Sequence, residues 1–538
     1  PLDARRAKQG RIRLGYLSSG LRSHPRSHLI QGLFTLHDRA RFEVHIYASD
    51  GANGSAYRRR IAADCDKFAE VDGLSAAALA RRLHDDGIDI LVDLDGNTKG
   101  TRLDALALKP APIQITWLGF PGTTGYPCLD YIIVDRIVVP PENERYLTEK
   151  PMIMPHCYCV TDHQQPIADR RFTRAEQGLP ESGPEGGIVF VCFCNSYKIE
   201  PVMFEVWMRL LKAVPGAVLW LWQQNREGMA DNLRREARSL GVDPLRLVFG
   251  KHMKKAEHLA RMRLADIGLD TRIYNGHTTT SDTLWAGVPV VAMMGTHFAS
   301  RVSASMLAAV GLPELAAASL EEYEALALKL AREPETLKAL KAKLAANLKT
   351  EPLFDTPRFA RNLENGFLQA WRLFQAGEKP RRIEVADVGA GGGADGGRGA
   401  EPTPAKAPVA GKTGPSQATK FRRAADGMLE DGRYVEAIGL LRRALAIEPD
   451  NERISARLYD ACKMNCTWDG LDALEVRHDA LVRRALAEGR APKEGALSNI
   501  RRSADPAHNL ELARARWLTR KVAFDPAALR AGDRELYR

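Results

Sequence analysis

Residues 269–307 read LDTRIYNGHTTTSDTLWAGVPVVAMMGTHFASRVSASML, and this stretch decides the predicted fold. The apolar residues 265–269 predict a strand, the Asn-Gly pair at 275–276 predicts a turn, and three threonines after His277 predict the start of a helix. The amino end of a helix presents unpaired backbone N–H groups and roughly half a positive charge, so it can bind a phosphate. The stretch therefore predicts an anion site, with an ordinary capped helix as the alternative.

Two further segments carry basic residues soon after predicted strands. Lys198 follows the strand at residues 188–193, and Lys255 and His258 follow the strand at residues 245–249. A surface lysine is the simpler interpretation of each segment taken alone. In an open parallel sheet, however, the carboxyl ends of the strands share the edge where ligands bind, and a lysine there can act as a point charge on a diphosphate. We therefore expect the three segments to meet at one site.

These blocks resemble the O-linked N-acetylglucosamine transferase family. In the second half the resemblance lies in YKIEP, in the 255/258 segment and in the stretch quoted above. In the first half it lies in RIRLGYLSS, HPRSHL, FEVHIYA, ILVDLDGNTKGTR, KPAPIQITWLGFPGTTGYPCLDYIIVD and MPH. The family implies the α/β GT-B fold, with two Rossmann-like doubly wound lobes. It also implies inverting transfer of N-acetylglucosamine from UDP-GlcNAc to serine or threonine hydroxyls of proteins.

Six segments follow from the patterns and the resemblance. They are a Rossmann-like lobe (1–165), a nucleotide-sugar lobe (186–345), helices returning to the first lobe (346–385), a disordered Gly/Pro linker (386–419), a tetratricopeptide-like repeat (420–453) and a helical connector (454–538). Animal family members carry an insertion between the lobes, and its absence here resembles bacterial members. The connector normally precedes the lobes. Its position predicts either a circular permutation, with the connector packed on the first lobe, or a piece of a tandem protein.

The resemblance implies that Lys198 is catalytic and that seven residues bind the donor; the seven are Asn195, Lys255, His258, His277, Thr278, Thr279 and Asp282. The lysine of YKIEP, the two threonines and the helix N-terminus would stabilise the charge that grows on the leaving diphosphate, with His277 near them. Asp282 would bind the ribose hydroxyls, and Lys255 with His258 would bind the ribose and uracil. Asn195 stands where family members often have glutamine, which would shorten one donor contact.

Two histidines of the first half match family positions linked to the active site. His24 precedes a proline that keeps it out of helical geometry, and the resemblance implies that it positions the acceptor or takes its proton. The α-phosphate of the donor is the alternative proton acceptor. His84 is the second position, although a histidine in the last turn of a helix also interacts favourably with the helix dipole. The glycine loop at residues 119–125 would lie near the acceptor and sugar, or form a simple turn.

Composition predicts an intracellular enzyme. The 538 residues carry a net charge of +10, but the lysines and arginines are scattered, so we expect no nucleic-acid partner. The eight cysteines form no CxxC pairs, which favours reduced thiols and a cytoplasmic location. Because no apolar run reaches the length of a membrane span, we expect no membrane contact.

No cofactor is expected. Asp93 and Asp95 form an Asp-x-Asp pair that would suit a divalent cation, but the spacing is too short to specify a site, and the resembling family needs no metal. Three alternatives to UDP-GlcNAc transfer stay open: a related enzyme that uses UDP-glucose, one that uses GDP-fucose, and an inactive scaffold that binds proteins through its tetratricopeptide-like helices. Intact lysine, histidine and threonine positions favour an enzyme.

Overall fold

The structure is a computed structural model that describes residues 10–181, 186–224, 228–388 and 416–522. The fourteen strands of these ranges are β1 (Ile12–Ser18), β2 (Phe42–Ala48), β3 (Lys67–Glu70), β4 (Ile90–Asp93), β5 (Ile113–Thr116), β6 (Tyr131–Asp135), β7 (Lys150–Met154), β8 (Val189–Cys192), β9 (Val218–Trp222), β10 (Leu247–Gly250), β11 (Ile267–Leu269), β12 (Val290–Met293), β13 (Ala316–Ala317) and β14 (Ile383–Glu384).

The α-helices of the same ranges are α1 (Pro25–Ile30), α2 (Ala56–Ala63), α3 (Ala76–Asp85), α4 (Leu103–Leu106), α5 (Pro201–Ala213), α6 (Met229–Ser239), α7 (Lys255–Met262), α8 (Thr278–Trp285), α9 (Val302–Ala309), α10 (Leu320–Arg332), α11 (Pro334–Asn347), α12 (Thr356–Gln375), α13 (Gln417–Glu430), α14 (Tyr434–Ile447), α15 (Glu452–Asn465), α16 (Leu471–Ala487), α17 (Ala496–Ile500) and α18 (Pro506–Val522).

The first lobe is built on an eight-stranded sheet in the order β14-β7-β6-β5-β4-β1-β2-β3. The paired strands are parallel, and β1 lies between β2 and β4, with Leu14 opposite Val44 on one side and Ile90 on the other. Apolar residues bury both faces of these strands, as expected for a parallel sheet covered by helices. The loops after β1 and β4 therefore emerge side by side at the carboxyl edge.

The second lobe is a six-stranded parallel sheet in the order β10-β9-β8-β11-β12-β13. Strand β8 pairs directly with β11 near the centre of this sheet. The chain segments that leave β8 after Cys192 and β11 after Leu269 are therefore neighbours at the same edge. Helix α1 of the first lobe packs against α8 of the second, so the carboxyl edges of the two sheets face each other across a cleft.

Helix α12 carries the chain back to the first lobe. The Phe359 ring stacks on Trp117 with 5.7 Å between ring centroids, and the Glu364 carboxylate lies 3.0 Å from Nδ1 of His37. Strand β14 then pairs with β7 at the edge of the first sheet. Residues 356–384 are thus part of the first lobe in three dimensions.

The C-terminal helices contact both lobes. Helices α13 and α14 form an antiparallel hairpin, and α15 packs on α14 and on a short 3-10 helix, Ser196–Lys198, of the second lobe. At the other end, the ring of Trp517 in α18 lies 4.7 Å from the ring of Tyr126 in the first lobe. Of the expected linker, residues 389–415 lie outside the described residues and residues 417–419 begin α13. The chain ends that a permutation would join also lie outside them.

The cysteines of the chain are free thiols, and six of the eight are buried. Cys65 and Cys128 are partly buried, and burial raises the pKa of Cys65 to about 11 and that of Cys128 to about 12, so both stay protonated at neutral pH. Within the described ranges, no helix has the combined length and apolar character needed to cross a bilayer.

Candidate active site

The predicted donor residues meet at the carboxyl edge of the second sheet. The turn after β8 carries Lys198, and the turn after β11 leads to the first residue of α8, Thr278. Sγ of Cys194, just beyond β8, lies 3.4 Å from Oγ1 of Thr279, so the end of that strand touches the first turn of α8. Lys198 and the start of α8 therefore occupy one side of the cleft.

Lys198 is held by the turn that precedes α8. Its Nζ donates a hydrogen bond to the backbone carbonyl of Asn275 at 2.6 Å and lies 4.3 Å from the ring centroid of Tyr274. The side chain is buried, with 9% of the residue exposed. An ammonium fixed by a carbonyl and an aromatic face is a preorganised positive charge beside a helix N-terminus.

The turn itself is fixed by buried polar groups. The Asp270 carboxylate accepts a hydrogen bond from the backbone N–H of Gly276 at 2.6 Å, and the Asn275 side-chain amide donates to the carbonyl of Thr271 at 2.7 Å. Burial raises the pKa of Asp270, and its hydrogen-bond donors oppose that shift. A Cβ on Gly276 would lie 2.8 Å from Oγ1 of Thr279 and nearer still to Oγ1 of Thr280, so a larger residue would displace the threonine hydroxyls at the start of α8.

His277 is held in one neutral tautomer. Its Nδ1 lies 3.0 Å from the Asn275 carbonyl oxygen, which can only accept, so Nδ1 carries the hydrogen. The ring stacks on Tyr274 at 5.1 Å, and Nε2 is buried without a hydrogen-bond partner among the described residues. Burial, with the charge of Lys198 acting in the same direction, lowers the pKa of His277 to about 3. The ring therefore presents Nε2 as a hydrogen-bond acceptor.

Lys255 and Asp282 form an ion pair with each other. Their side chains are 12% and 13% exposed. Burial raises the pKa of Asp282, and the charge of Lys255 opposes that shift. The resemblance assigned these residues to separate contacts with uracil and ribose, whereas here the pair forms one polar unit at the second turn of α8.

His258 lies one turn further along α7 from Lys255. Its Nδ1 accepts hydrogen bonds from the guanidinium of Arg261, the nearer at 3.1 Å, and its ring lies 5.0 Å from that of Phe193. Burial is the main cause that lowers the pKa of His258 to about 3, with Arg261 and Lys255 adding to the shift. Because Nδ1 accepts, the hydrogen of the neutral ring is on Nε2. Asn195, the remaining predicted donor residue, is the half-buried cap of the 3-10 helix that carries Lys198.

His24 lies at the start of α1, the helix that packs against α8 of the second lobe. It is the N-cap of that helix, and its Nδ1 accepts a hydrogen bond from the backbone N–H of Arg26 at 3.3 Å. Burial, aided by the charges of Arg26 and Arg22, lowers the pKa of His24 to about 4. Since Nδ1 accepts, the neutral ring carries its hydrogen on Nε2 and can donate there.

His28 is a cleft residue that sequence reasoning missed. Burial lowers its pKa to about 3, and the charge of Lys255 in the second lobe is the next cause. Its ring contacts Tyr57 at 4.7 Å between centroids, and burial, with the charge of Asp282 adding to it, raises the pKa of that tyrosine. The signal was present in the sequence, because the HPRSHL block that carries His24 has a second histidine, His28, four residues further on.

His84 does not join the site. It lies in the last turn of α3, and the chain from there enters the amino end of β4. Helices in a doubly wound sheet run opposite to the strands, so the carboxyl end of α3 lies at the edge away from the cleft. Its described side-chain contact is with its neighbour Asp85 at 3.3 Å. The prediction of an active-site role for His84 is therefore at odds with this geometry.

The Asp-x-Asp pair is used inside the first lobe. Asp93 accepts from the backbone N–H of Gly96 at 2.8 Å, and Asp95 accepts from the backbone N–H of Ser19 at 2.8 Å and pairs with Arg26. These donors satisfy both carboxylates and pin the loop after β4. Among the described residues, no cluster of three or more His, Cys, Asp or Glu side chains could hold a metal.

The glycine loop at residues 119–125 follows β5 in the first lobe and is held by hydrogen bonds to buried groups. Its Thr123 hydroxyl donates to buried Glu149 at 2.6 Å, and the backbone N–H of Thr124 donates to the same carboxylate at 2.8 Å. The Asn97 amide donates to the Thr124 carbonyl at 2.9 Å and ties the loop to the segment after β4. The two loops therefore form one fixed wall of the cleft.

Two parallel α/β lobes that face each other across a cleft define the GT-B class of glycosyltransferase folds. In this chain the second lobe adds an ammonium and a hydroxyl-rich helix N-terminus at the cleft. The model of Glycosyl transferase family 41 matches residues 2–175 and 171–363. The chain belongs to this family, which confirms the resemblance and the predicted GT-B fold.

Several named proteins and one solved structure are similar to this chain and support the family assignment. A probable UDP-N-acetylglucosamine–peptide N-acetylglucosaminyltransferase of Arabidopsis thaliana is 39% identical over 383 residues, covering 70% of this chain and 39% of the relative. The UDP-N-acetylglucosamine–peptide N-acetylglucosaminyltransferase of Caenorhabditis elegans is 30% identical over 475 residues, covering 68% of this chain and 41% of the relative. A solved mutant O-GlcNAc transferase from Thermobaculum terrenum is 34% identical, with 68% of each chain covered and a TM-score of 0.62. The chain thus spans about two fifths of the length of these curated relatives.

Proposed function

We propose that this chain transfers N-acetylglucosamine from UDP-GlcNAc to a serine or threonine hydroxyl of a protein or peptide, with inversion at the sugar carbon. The observation that carries the proposal is that Lys198 and His277, the N-cap of α8, both donate to the backbone carbonyl of Asn275. The printed activities of the relatives support the choice of donor and acceptor class.

In the reaction, the hydroxyl oxygen bonds to the sugar carbon from one face while the bond to the diphosphate oxygen breaks on the other. UDP leaves with the bonding electrons, so negative charge grows on the diphosphate. Lys198, the hydroxyls of Thr278 and Thr279 and the free N–H groups of the first turn of α8 would stabilise that charge. Loss of one such donor typically costs about 10²- to 10³-fold in rate.

His277 has a different role in this proposal from the one that the resemblance implied. A phosphate oxygen offers no hydrogen to Nε2, which is an acceptor in the tautomer set by the Asn275 carbonyl. We assign Nε2 to a hydroxyl or amide N–H of the donor sugar. Asp282 and Lys255 would bind the ribose and base together as a pair, with His258 behind them.

His24 would position the acceptor rather than take its proton. Its Nδ1 is engaged by the Arg26 backbone and its Nε2 carries the hydrogen, so the ring can donate to the reacting groups but has no free basic nitrogen. A pKa of about 4 also makes it a weak base at neutral pH. The hydroxyl proton would pass to a phosphate oxygen of the donor.

We propose that no metal ion takes part, because the diphosphate has an ammonium, hydroxyls and a helix N-terminus as partners and the Asp93 and Asp95 carboxylates are satisfied internally. Activity should then persist in EDTA. We also propose a cytoplasmic location, which the eight free thiols support, since thiols persist in reducing compartments.

The test compares UDP-GlcNAc, UDP-glucose and GDP-fucose as donors, each with a serine/threonine peptide library, and measures nucleotide release and peptide mass. A mass gain of one N-acetylhexosamine from UDP-GlcNAc, lost in Lys198→Ala, supports the proposal. Transfer from GDP-fucose or UDP-glucose in its place assigns a different donor. If the wild type binds none of the three donors, an enzymatic role is contradicted. The remaining hypothesis is then an inactive scaffold that binds proteins.

A further inference from the structure

The C-terminal helices hold the turn that carries Lys198. Oγ of Ser196, at the start of the 3-10 helix, donates to the carbonyl of Met464 in α15 at 2.6 Å. Sγ of Cys466 lies 3.9 Å from the carbonyl oxygen of the same serine. The segment between β8 and α5 is thus bonded to a part of the chain about 270 residues away.

An aromatic path continues from these helices to the lysine. The guanidinium of Arg501, at the carboxyl end of α17, lies 3.8 Å from the ring centroid of Tyr197. The Tyr197 ring meets the Tyr274 ring edge-on, with centroids 6.4 Å apart and an interplanar angle of 82°. Lys198 rests on the face of Tyr274 at 4.3 Å, and His277 stacks on the same ring.

Tyr274 also belongs to a buried hydrophobic cluster to which three parts of the chain contribute. Phe120 comes from the glycine loop of the first lobe, Tyr274 comes from the second lobe, and Ile500 and Leu512 come from α17 and α18. Since interiors are close-packed, a shift of the helices would move Tyr274 and hence Lys198. The position of the ammonium therefore depends on helices outside both lobes.

We propose that Arg501 is a positioning residue for the diphosphate site and acts on Lys198 through Tyr197 and Tyr274. The packing of the C-terminal helices on the second lobe then fixes the position of the Lys198 ammonium. The inference deepens the proposed function and rests on Lys198 as the diphosphate partner. Arg501 touches no reacting group itself. Its effect should appear in interactions with the diphosphate and leave the nucleoside part of the site unchanged.

The test uses the full chain and measures UDP and uridine affinity by calorimetry, together with kcat and KM for UDP-GlcNAc. Arg501→Ala should weaken UDP binding and lower kcat about tenfold each, since a cation on an aromatic face contributes of that order. Uridine, which lacks the diphosphate, should bind as it does to the wild type. Arg501→Lys should recover most of the loss. In the Lys198→Ala background, Arg501→Ala should weaken UDP no further, because Arg501 acts through that lysine.

A matched control removes the same kind of contact elsewhere in the helices. Arg443 lies 4.5 Å from the Phe421 ring centroid, in the α13–α14 hairpin, and Arg443→Ala should change neither affinity. Equal loss of UDP and uridine binding in Arg501→Ala, or an undiminished effect in the Lys198→Ala background, would overturn the inference. If the alanine variant lacks the wild-type thermal transition, Arg501→Met, which keeps the aliphatic stem, takes its place with the same outcomes. UDP and uridine binding decide the inference even if no donor supports transfer.

Discussion

Nζ of Lys198 lies 2.6 Å from the carbonyl oxygen of Asn275, two residues before His277 caps α8. The same carbonyl accepts the hydrogen on Nδ1 of His277 at 3.0 Å. One backbone oxygen therefore fixes both an ammonium and an imidazole beside the free N–H groups of a helix N-terminus. A single turn of the second lobe thus orients the cationic group and the acceptor nitrogen of the site.

Lys198→Ala should lower kcat for UDP-GlcNAc transfer by about 10²- to 10³-fold, because a preorganised charge that stabilises the leaving diphosphate is lost. The thermal midpoint should change little, since the Asn275 carbonyl keeps the hydrogen bond from His277 and is not left unpaired. Steady-state kinetics and thermal unfolding check both statements. Lys338→Ala, at a side chain that is 78% exposed, is the control and should behave as the wild type. Full activity in Lys198→Ala would remove the lysine from the mechanism.

Lys255→Met should destabilise the protein, because it leaves the Asp282 carboxylate buried without its partner. The double variant Lys255→Met/Asp282→Leu should recover most of that stability, since apolar residues can replace a buried pair at little cost. Both variants should lose donor affinity if the pair binds ribose and base. Urea unfolding and UDP calorimetry separate the two effects.

The exposed pair of Lys343 and Glu314 provides the comparison. Both side chains are nearly half exposed, so Lys343→Met should change stability by no more than about 1 kcal/mol and leave UDP binding intact. Equal stability of the Lys255 single and double variants would contradict a buried, coupled pair.

The stability that three buried histidines contribute should be lost as the pH is lowered from about 6.5 towards 4. Burial lowers the pKa of His28, His258 and His277 to about 3, so these rings stay neutral in the folded protein while the unfolded chain binds protons below its ordinary histidine pKa. The unfolded state then binds more protons, and each such histidine contributes a loss of about 1.4 kcal/mol per pH unit. Urea unfolding at pH 7 and pH 5 measures the slope. His277→Asn should reduce it, and an unchanged slope in that variant would refute the assignment.

Local patterns in the sequence predicted much of the fold, and they also predicted that Lys198 and the threonine run lie at one edge of the second sheet. The segment expected to return to the first lobe as helices, residues 346–385, contains α12, Thr356–Gln375, whose apolar residues recur at helical spacing. Lys198 and the threonine run lie at the same edge because each lies in the segment that follows a parallel strand, and neighbouring strands β8 and β11 end there. Their shared location follows from the rule that parallel strands end at the same edge of a sheet, so it can be predicted without knowing any side-chain contact.

Contacts between distant segments could not be predicted in this way. The pairing of Lys255 with Asp282 and the docking of Met464 on Ser196 depend on how helices pack, which no local pattern encodes. His84 shows the reverse error: its helix was predicted well, as α3, but the end of that helix lies at the amino edge of the sheet. A sequence pattern can place a residue within a helix, but it does not show whether that end of the helix lies at the edge of the sheet where ligands bind.

Gly125→Ala should loosen α18 from the glycine loop. Gly125 has a φ of +77°, and a Cβ there would lie 2.6 Å from the carbonyl oxygen of Ala513 and nearer still to its carbon, so helix backbone would have to move. We expect a loss of about 1–3 kcal/mol in unfolding free energy and faster proteolysis within α18. Gly122→Ala is the matched control, because its Cβ would meet only the Phe120 ring at 3.3 Å, which can shift. If both variants were equally stable and equally resistant to protease, the packing of α18 on this loop would not contribute to the folded state.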